Sequence, residues 1–178
     1  MWHQVVLILT LLALTLMHVA AGQWSLGTGI LRWWLGGVVG FVFVFSDRLV
    51  HSMVTNPSET LSLQIKDLFK KGRLIQGLSL TLAEREKQQH LVVRSALFLV
   101  IYLVLAFFTA TSVANAFPRG FVLGIGIHLF FDLFWDFRGR GRDINLWFWQ
   151  IKRELLAKEI GGFVWVTGAV FGLLALGL

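Results

Sequence analysis

An all-α, polytopic transmembrane helical bundle of about five spans is what this sequence predicts, and three observations predict it. Of its 178 residues 56% are apolar and only 15% charged, outside the usage of soluble domains. The apolar residues gather into five runs long enough to cross a bilayer, at 5–21, 28–50, 91–114, 120–137 and 160–178. The Lys and Arg residues gather into two blocks between those runs, at 52–90 and 138–158. One membrane domain covering 1–178 is therefore expected. A net charge of +6 raises nucleic acid as a partner, but cations placed beside hydrophobic spans fit topology and anionic lipid headgroups instead, so no nucleic acid is expected. There is no cysteine, which leaves His and carboxylates as the only side chains to hold a metal.

The first run, 5–21, is interrupted only by Thr10, Thr15 and His18. A cleaved signal peptide is the alternative, but Met1-Trp2-His3-Gln4 lacks the Lys or Arg of an n-region, which favours retention. A turn at 22–27 sends the second run back antiparallel, with Trp24, Trp33 and Trp34 suited to an interfacial belt and Arg32 able to snorkel. Gly36 and Gly40 form a small-xxx-small face on this helix, and helical steps along the same face reach Val44, Asp47 and His51.

In the first linker, Asn56-Pro57-Ser58-Glu59 has the form of a capping box. The helix it opens would place Leu61, Ile65, Leu68 and Phe69 opposite Lys66, Lys70 and Lys71, an amphipathic element for the membrane surface. Gly72 and Gly77 break it. A second capping box, Thr81-x-x-Glu84, would open a helix through Arg85, Glu86, Lys87 and His90 into the third run. After 91–114, Asn115-Ala116-Phe117-Pro118-Arg119 reads as a tight turn, and Arg138-Gly-Arg140-Gly-Arg142 as a flexible basic loop. Asp143 would cap a second interfacial helix with Ile144, Trp147, Phe148, Ile151 and Leu155 on its apolar face. The last run offers Gly161, Gly168 and Gly172 for close packing.

Both basic linkers, 52–90 and 138–158, are cytoplasmic by the positive-inside rule, with the N-terminus inside. This topology brings ionisable residues of three spans to one membrane face. Asp47 and His51 end the second span there, and His90 and Arg94 begin the third. On the fourth, Gly120-x3-Gly124-x3-His128-x3-Asp132-x3-Asp136 makes one narrow stripe, because residues four apart lie about 40° apart on a helix. Ionisable groups are costly in such apolar surroundings and mark a site by default. Two carboxylates and two or three imidazoles at one place suit a divalent metal (Zn, Mn or Fe), which could activate a water for hydrolysis. Asp47, His51, His90, His128 and Asp132 are the candidate ligands, Asp136 the candidate general base and Arg94 the receiver of an anionic group. The structural alternative pairs Arg48, Arg94 and Arg138 with Asp47, Asp132 and Asp136, and hydrogen-bonds His90 and His128 across helices. His3 is read as a solvated terminal residue and His18 as structural, at the opposite face.

Three segments carry a resemblance: Ser46-Asp47-Arg48-Leu49-Val50-His51, His90-Leu-Val-Val-Arg94-Ser95 and Gly124-Ile-Gly-Ile-His128-Leu-Phe-Phe-Asp132. Together they resemble the short motifs of the YdjM-like family of inner-membrane metal-dependent hydrolases, the third most closely. The resemblance implies a bacterial inner-membrane protein acting on a membrane-embedded or interfacial substrate, with Asp47, His51, His90, His128 and Asp132 as metal ligands. The first segment lacks the family's preceding Pro and paired Asp, and the second lacks its second His. A rival reading is a non-catalytic membrane subunit or assembly factor that binds a partner membrane protein or a second copy through its glycine faces. A transporter would need oligomers, since five short spans are few for a monomeric pathway.

Overall fold

Gly36 and Gly40 lie against the backbone at Phe117 and Phe121, and Gly120 and Gly124 lie against the backbone at Trp33 and Gly37. A Cβ on Gly40 would strike the Phe121 carbonyl, one on Gly36 the Phe117 carbonyl, one on Gly120 the Trp33 carbonyl and one on Gly124 the Gly37 carbonyl. Two helix backbones thus touch along their length, as small-xxx-small faces allow in a medium where apolar burial alone does not hold helices together. The computed structural model, which describes residues 2–22, 24, 27–84, 91–141 and 143–178, builds the rest of the bundle around this pair.

The helices are α1 (Trp2–Ala20), α2 (Thr28–Phe43), short α3 (Ser46–Val50), α4 (Thr60–Lys70), α5 (Leu74–Ala83), α6 (Ala96–Ser112), α7 (Ala116–Phe137) and α8 (Ala157–Ala175). A π-helical turn, His51–Thr55, prolongs α3, and a 3-10 turn, Ile144–Phe148, follows α7. No strand occurs among the described residues. Four helical stretches, Trp2–Ala20, Thr28–Thr55, Ala116–Phe137 and Ala157–Ala175, are long and apolar enough to cross a membrane, and Ala96–Ser112 is a shorter apolar helix. The outward faces are as apolar as the core: Leu16, Leu31, Val104, Val166 and Leu173 are all exposed. Such a surface suits lipid and would be an aggregation liability in water. The fold is a helical bundle compatible with an integral membrane protein.

At the centre stands α7, with 67% of its most apolar stretch buried against 17–33% for the other three long helices. The first turn of α1, the end of α2, the start of α6 and the last turns of α7 meet at one end of the bundle, where His3 reaches Asp132 and Arg94 reaches His128. Both linkers therefore share that end. At the other, Trp33 is fully buried and donates through Nε1 to the Leu178 carbonyl at 3.0 Å, so it is a core residue and not part of a belt. Arg119 closes α6 there by donating to the Val113 and Ala110 carbonyls at 2.6 and 3.1 Å.

Several local expectations are corrected. The third span starts late, at Ala96, because the Asp47 carboxylate takes the backbone N–H groups of Val93 and Arg94 and Ser95 caps the helix through Phe98 N. Conversely α7 starts early, at Ala116, with Asn115 accepting from Phe117 N and Pro118 tolerated in the first turn, where it removes no helical hydrogen bond. The Asn56–Glu59 capping box does not form: Glu59 is drawn to His51, and α4 begins at Thr60. Thr81 lies inside α5, bonded to the Gly77 carbonyl, rather than at a helix start. Gly77 does not break the helix but sits beneath the Phe69 ring. Leu61 and Ile65 of α4 are buried and Lys70 and Lys71 exposed, as the amphipathic pattern predicts. Asp143 does cap, accepting from Asn145 N at 3.0 Å, but what it caps is the 3-10 turn and not a long interfacial helix. In α8, Gly168 packs on Phe134 whereas Gly172 faces open space.

Candidate functional site

Asp132 stands at the junction of α1, α6 and α7. Its Oδ2 accepts from Arg94 Nε at 2.7 Å and its Oδ1 from His3 Nε2 at 2.8 Å. One helical turn back, His128 donates through Nδ1 to the Phe41 carbonyl of α2 at 2.8 Å. That bond fixes the tautomer, so the Nε2 lone pair is the one that accepts from Arg94 Nη2 at 3.1 Å. Phe41 and Phe45 pack against the His128 ring, with centroids 4.5 and 4.7 Å away, and His3 approaches it edge-on at 5.7 Å. Arg94 is thus held by α7 through both Nε and Nη2, while Nη1 is buried with no hydrogen-bond partner among the described residues. A buried guanidinium N–H without an acceptor is expensive unless a ligand or water supplies one.

These groups form the polar end of a cleft of about 610 Å³. Arg48 joins His3, Arg94, His128 and Asp132 there, while Leu7, Ile8, Val38 and Val42 line the apolar remainder between α1 and α2. Ile8, Val38 and Val42 are exposed on the outer surface of the bundle, so the cleft opens sideways, where lipid would be.

The structure brings together only part of the residue set named from the sequence. Arg94, His128 and Asp132 meet. Asp47 is adjacent but committed to the Val93 and Arg94 backbone N–H groups at 3.1 and 3.2 Å. His51 is buried at the π-helical turn and donates to Glu59 at 3.2 Å, away from the cleft. Asp136 faces the other way and accepts from Trp147 Nε1 at 2.9 Å. His90 lies outside the described residues, as do Arg85, Glu86, Lys87 and Arg142. The structural alternative is met by the Arg94–Asp132 pair and by the His128 bond across to α2, and by neither of its other two pairs. His18 is buried and stacks on Trp24 at 4.5 Å, at the far end.

His3 is the member of this cluster that sequence reasoning missed. The signal was present: in the topology expected from the sequence, residue 3 and Asp132 share one membrane face.

No family model, curated protein or solved structure matches this chain. What the site can do is therefore argued from its own geometry. Among the described residues no group of three or more His, Asp or Glu side chains is arranged to hold a metal ion. The reason lies in the donors: both Asp132 oxygens and the His128 lone pair are turned toward N–H groups of Arg94 and His3. In this arrangement the cleft offers the remaining N–H of the Arg94 guanidinium to whatever enters, which suits an anion.

Proposed function

We propose that this is an integral membrane protein, with both linkers and the N-terminus cytoplasmic, that admits an amphiphile with an anionic headgroup into the α1–α2 cleft. The observation that carries this reading is the buried, unpartnered Nη1 of Arg94 at the polar end of a laterally open apolar cleft. The headgroup would take Arg94, and the tail would lie along Ile8, Val38 and Val42. Anion and guanidinium are complementary in geometry and charge, and the apolar walls exclude the water that would otherwise weaken them. Purified protein in a neutral detergent should unfold at higher temperature with dodecyl phosphate than with dodecanol, and Arg94→Gln should remove the difference. Since Arg94 also holds the fold together, Val42→Trp, which fills the cleft from an exposed position, provides the second variant. Equal stabilisation of wild type and Val42→Trp would overturn the reading.

A second reading, hydrolysis of that amphiphile, is favoured by the meeting of His3 and His128 at Asp132. Asp132 holds His3 through Nε2–H, which would leave Nδ1 to take a proton from an attacking water. The metal-dependent form implied by the YdjM-like resemblance would require Arg94 to give up Asp132 and His128 first. Elemental analysis of the purified protein, alongside release of product from a phosphate ester of a long-chain alcohol, tests both forms. Asp132→Asn should abolish release, and full activity of that variant would sink the hydrolytic reading.

A further inference from the structure

A second cavity, of about 520 Å³, lies on another face of α7 between α1 and α8. Its walls include Val6, Phe130, Phe134, Trp165 and Phe171, and Arg138 and Arg140 line one end. Those arginines are placed by the way α7 ends. Gly139 takes φ 66°, a left-handed value natural to glycine, with its N–H bonded to the Asp136 carbonyl while Arg140 N–H reaches back to the Trp135 carbonyl at 3.1 Å. This is the Schellman pattern. It folds the chain back so that the Arg140 guanidinium lies 5.7 Å from the centre of the Trp135 ring. What the sequence suggests is a loose basic loop is, over Arg138–Arg140, a fixed turn.

Three observations commit the occupant. Neither Arg138 nor Arg140 has a carboxylate partner among the described residues, so two cations stand at the mouth of an aromatic groove. From Arg138 to Ile127, another lining residue, α7 covers roughly 16 Å, about half of a ~30 Å hydrocarbon core, so the groove is one leaflet deep. Its cationic end lies at the bundle end that carries both basic linkers. We infer that this groove holds an acyl chain of an anionic glycerophospholipid, with the lipid phosphate at Arg138 and Arg140. This site is separate from the α1–α2 cleft and does not depend on what enters it.

Native mass spectrometry of the whole protein, released from detergent containing limiting phosphatidylglycerol or phosphatidylcholine, tests the inference. In a Val42→Trp background, where the α1–α2 cleft is filled, the protein should keep one phosphatidylglycerol in preference to phosphatidylcholine, and the further changes are made in that background. Arg138→Gln combined with Arg140→Gln should remove that preference, each cation near an anionic headgroup being worth about a fivefold factor. Thr10→Phe, which fills the groove from α1, should lower retention of both lipids. Unchanged phosphatidylglycerol preference in the double arginine variant, or unchanged retention in Thr10→Phe, would mean annular lipid only and would overturn the inference.

Discussion

Arg94 and Asp132 face each other at 2.7 Å across the start of α6 and the last turns of α7, the guanidinium almost wholly buried and the carboxylate only 17% exposed. The pair closes the inner end of the cleft, and Asp132 extends it to α1 by accepting from His3. Replacing Asp132 with Asn keeps the shape but leaves the guanidinium without a counter-charge. Breaking one side of a buried pair costs far more than the pair is worth relative to apolar residues, so a loss of roughly 2–4 kcal/mol is expected. Unfolding of the purified protein in a mild detergent measures it. Arg94→Gln with Asp132→Asn should lose less than the sum of the two single changes, by about 0.5–3 kcal/mol, because the partners are in contact.

The glycine contact between α2 and α7 predicts a sharp positional contrast. Gly40→Ala drives a methyl group into the Phe121 carbonyl, which belongs to backbone and cannot rotate away, so the helices must separate. A penalty of about 1–3 kcal/mol or more is expected. Gly172→Ala meets nothing within 4 Å and sits mid-helix, where Ala is favoured over Gly by up to ~1 kcal/mol. Thermal unfolding should place the first variant well below wild type and the second at or above it.

That contrast also shows what could be read from the sequence. The small-residue stripes at Gly36, Gly40, Gly120 and Gly124 were legible because helical periodicity alone puts each pair on one face. The helical bundle itself was legible from the length of the apolar runs. The stripe through His128 and Asp132 was legible for the same reason, and it does reach Arg94. The partners of Asp47, His51 and Asp136 were not, since each is engaged by a group of no periodic signature: two backbone N–H groups, the carboxylate of Glu59, and the indole of Trp147. His3 was hidden by its terminal position, although topology alone would have brought it to the site. The late start of α6 follows from the Asp47 contact and so was invisible too.

Trp147 tests whether Asp136 serves structure or chemistry. Its indole N–H donates to the Asp136 carboxylate from the 3-10 turn, tying that turn to the end of α7. Trp147→Phe retains most of the packing and removes one hydrogen bond to a charged acceptor, an expected loss of about 1.5–3 kcal/mol in unfolding free energy. If Asp136 anchors the turn, Asp136→Asn should be destabilising while leaving the dodecyl phosphate shift of the folded protein unchanged. A lost ligand shift in a fully folded Asp136→Asn variant would instead move Asp136 into the binding machinery.

Asp47 discriminates an acceptor role from metal ligation most cleanly. Its Oδ2 receives two backbone N–H groups at the entry to α6, and a neutral amide oxygen can receive the same two bonds with less charge assistance. Asp47→Asn should therefore cost little, about 1 kcal/mol, whereas Asp47→Ala leaves both N–H groups without that acceptor and should cost about 2–4 kcal/mol. A metal ligand would behave differently, because an amide is a far poorer donor to Zn, Mn or Fe than a carboxylate. Melting temperatures of the two variants, measured beside their metal content, separate the cases. Near-wild-type stability of Asp47→Asn with unchanged metal content assigns Asp47 to the architecture of the α3–α6 junction. A variant that folds like wild type yet loses a stoichiometric metal would return Asp47 to the ligand set that the sequence motif implies.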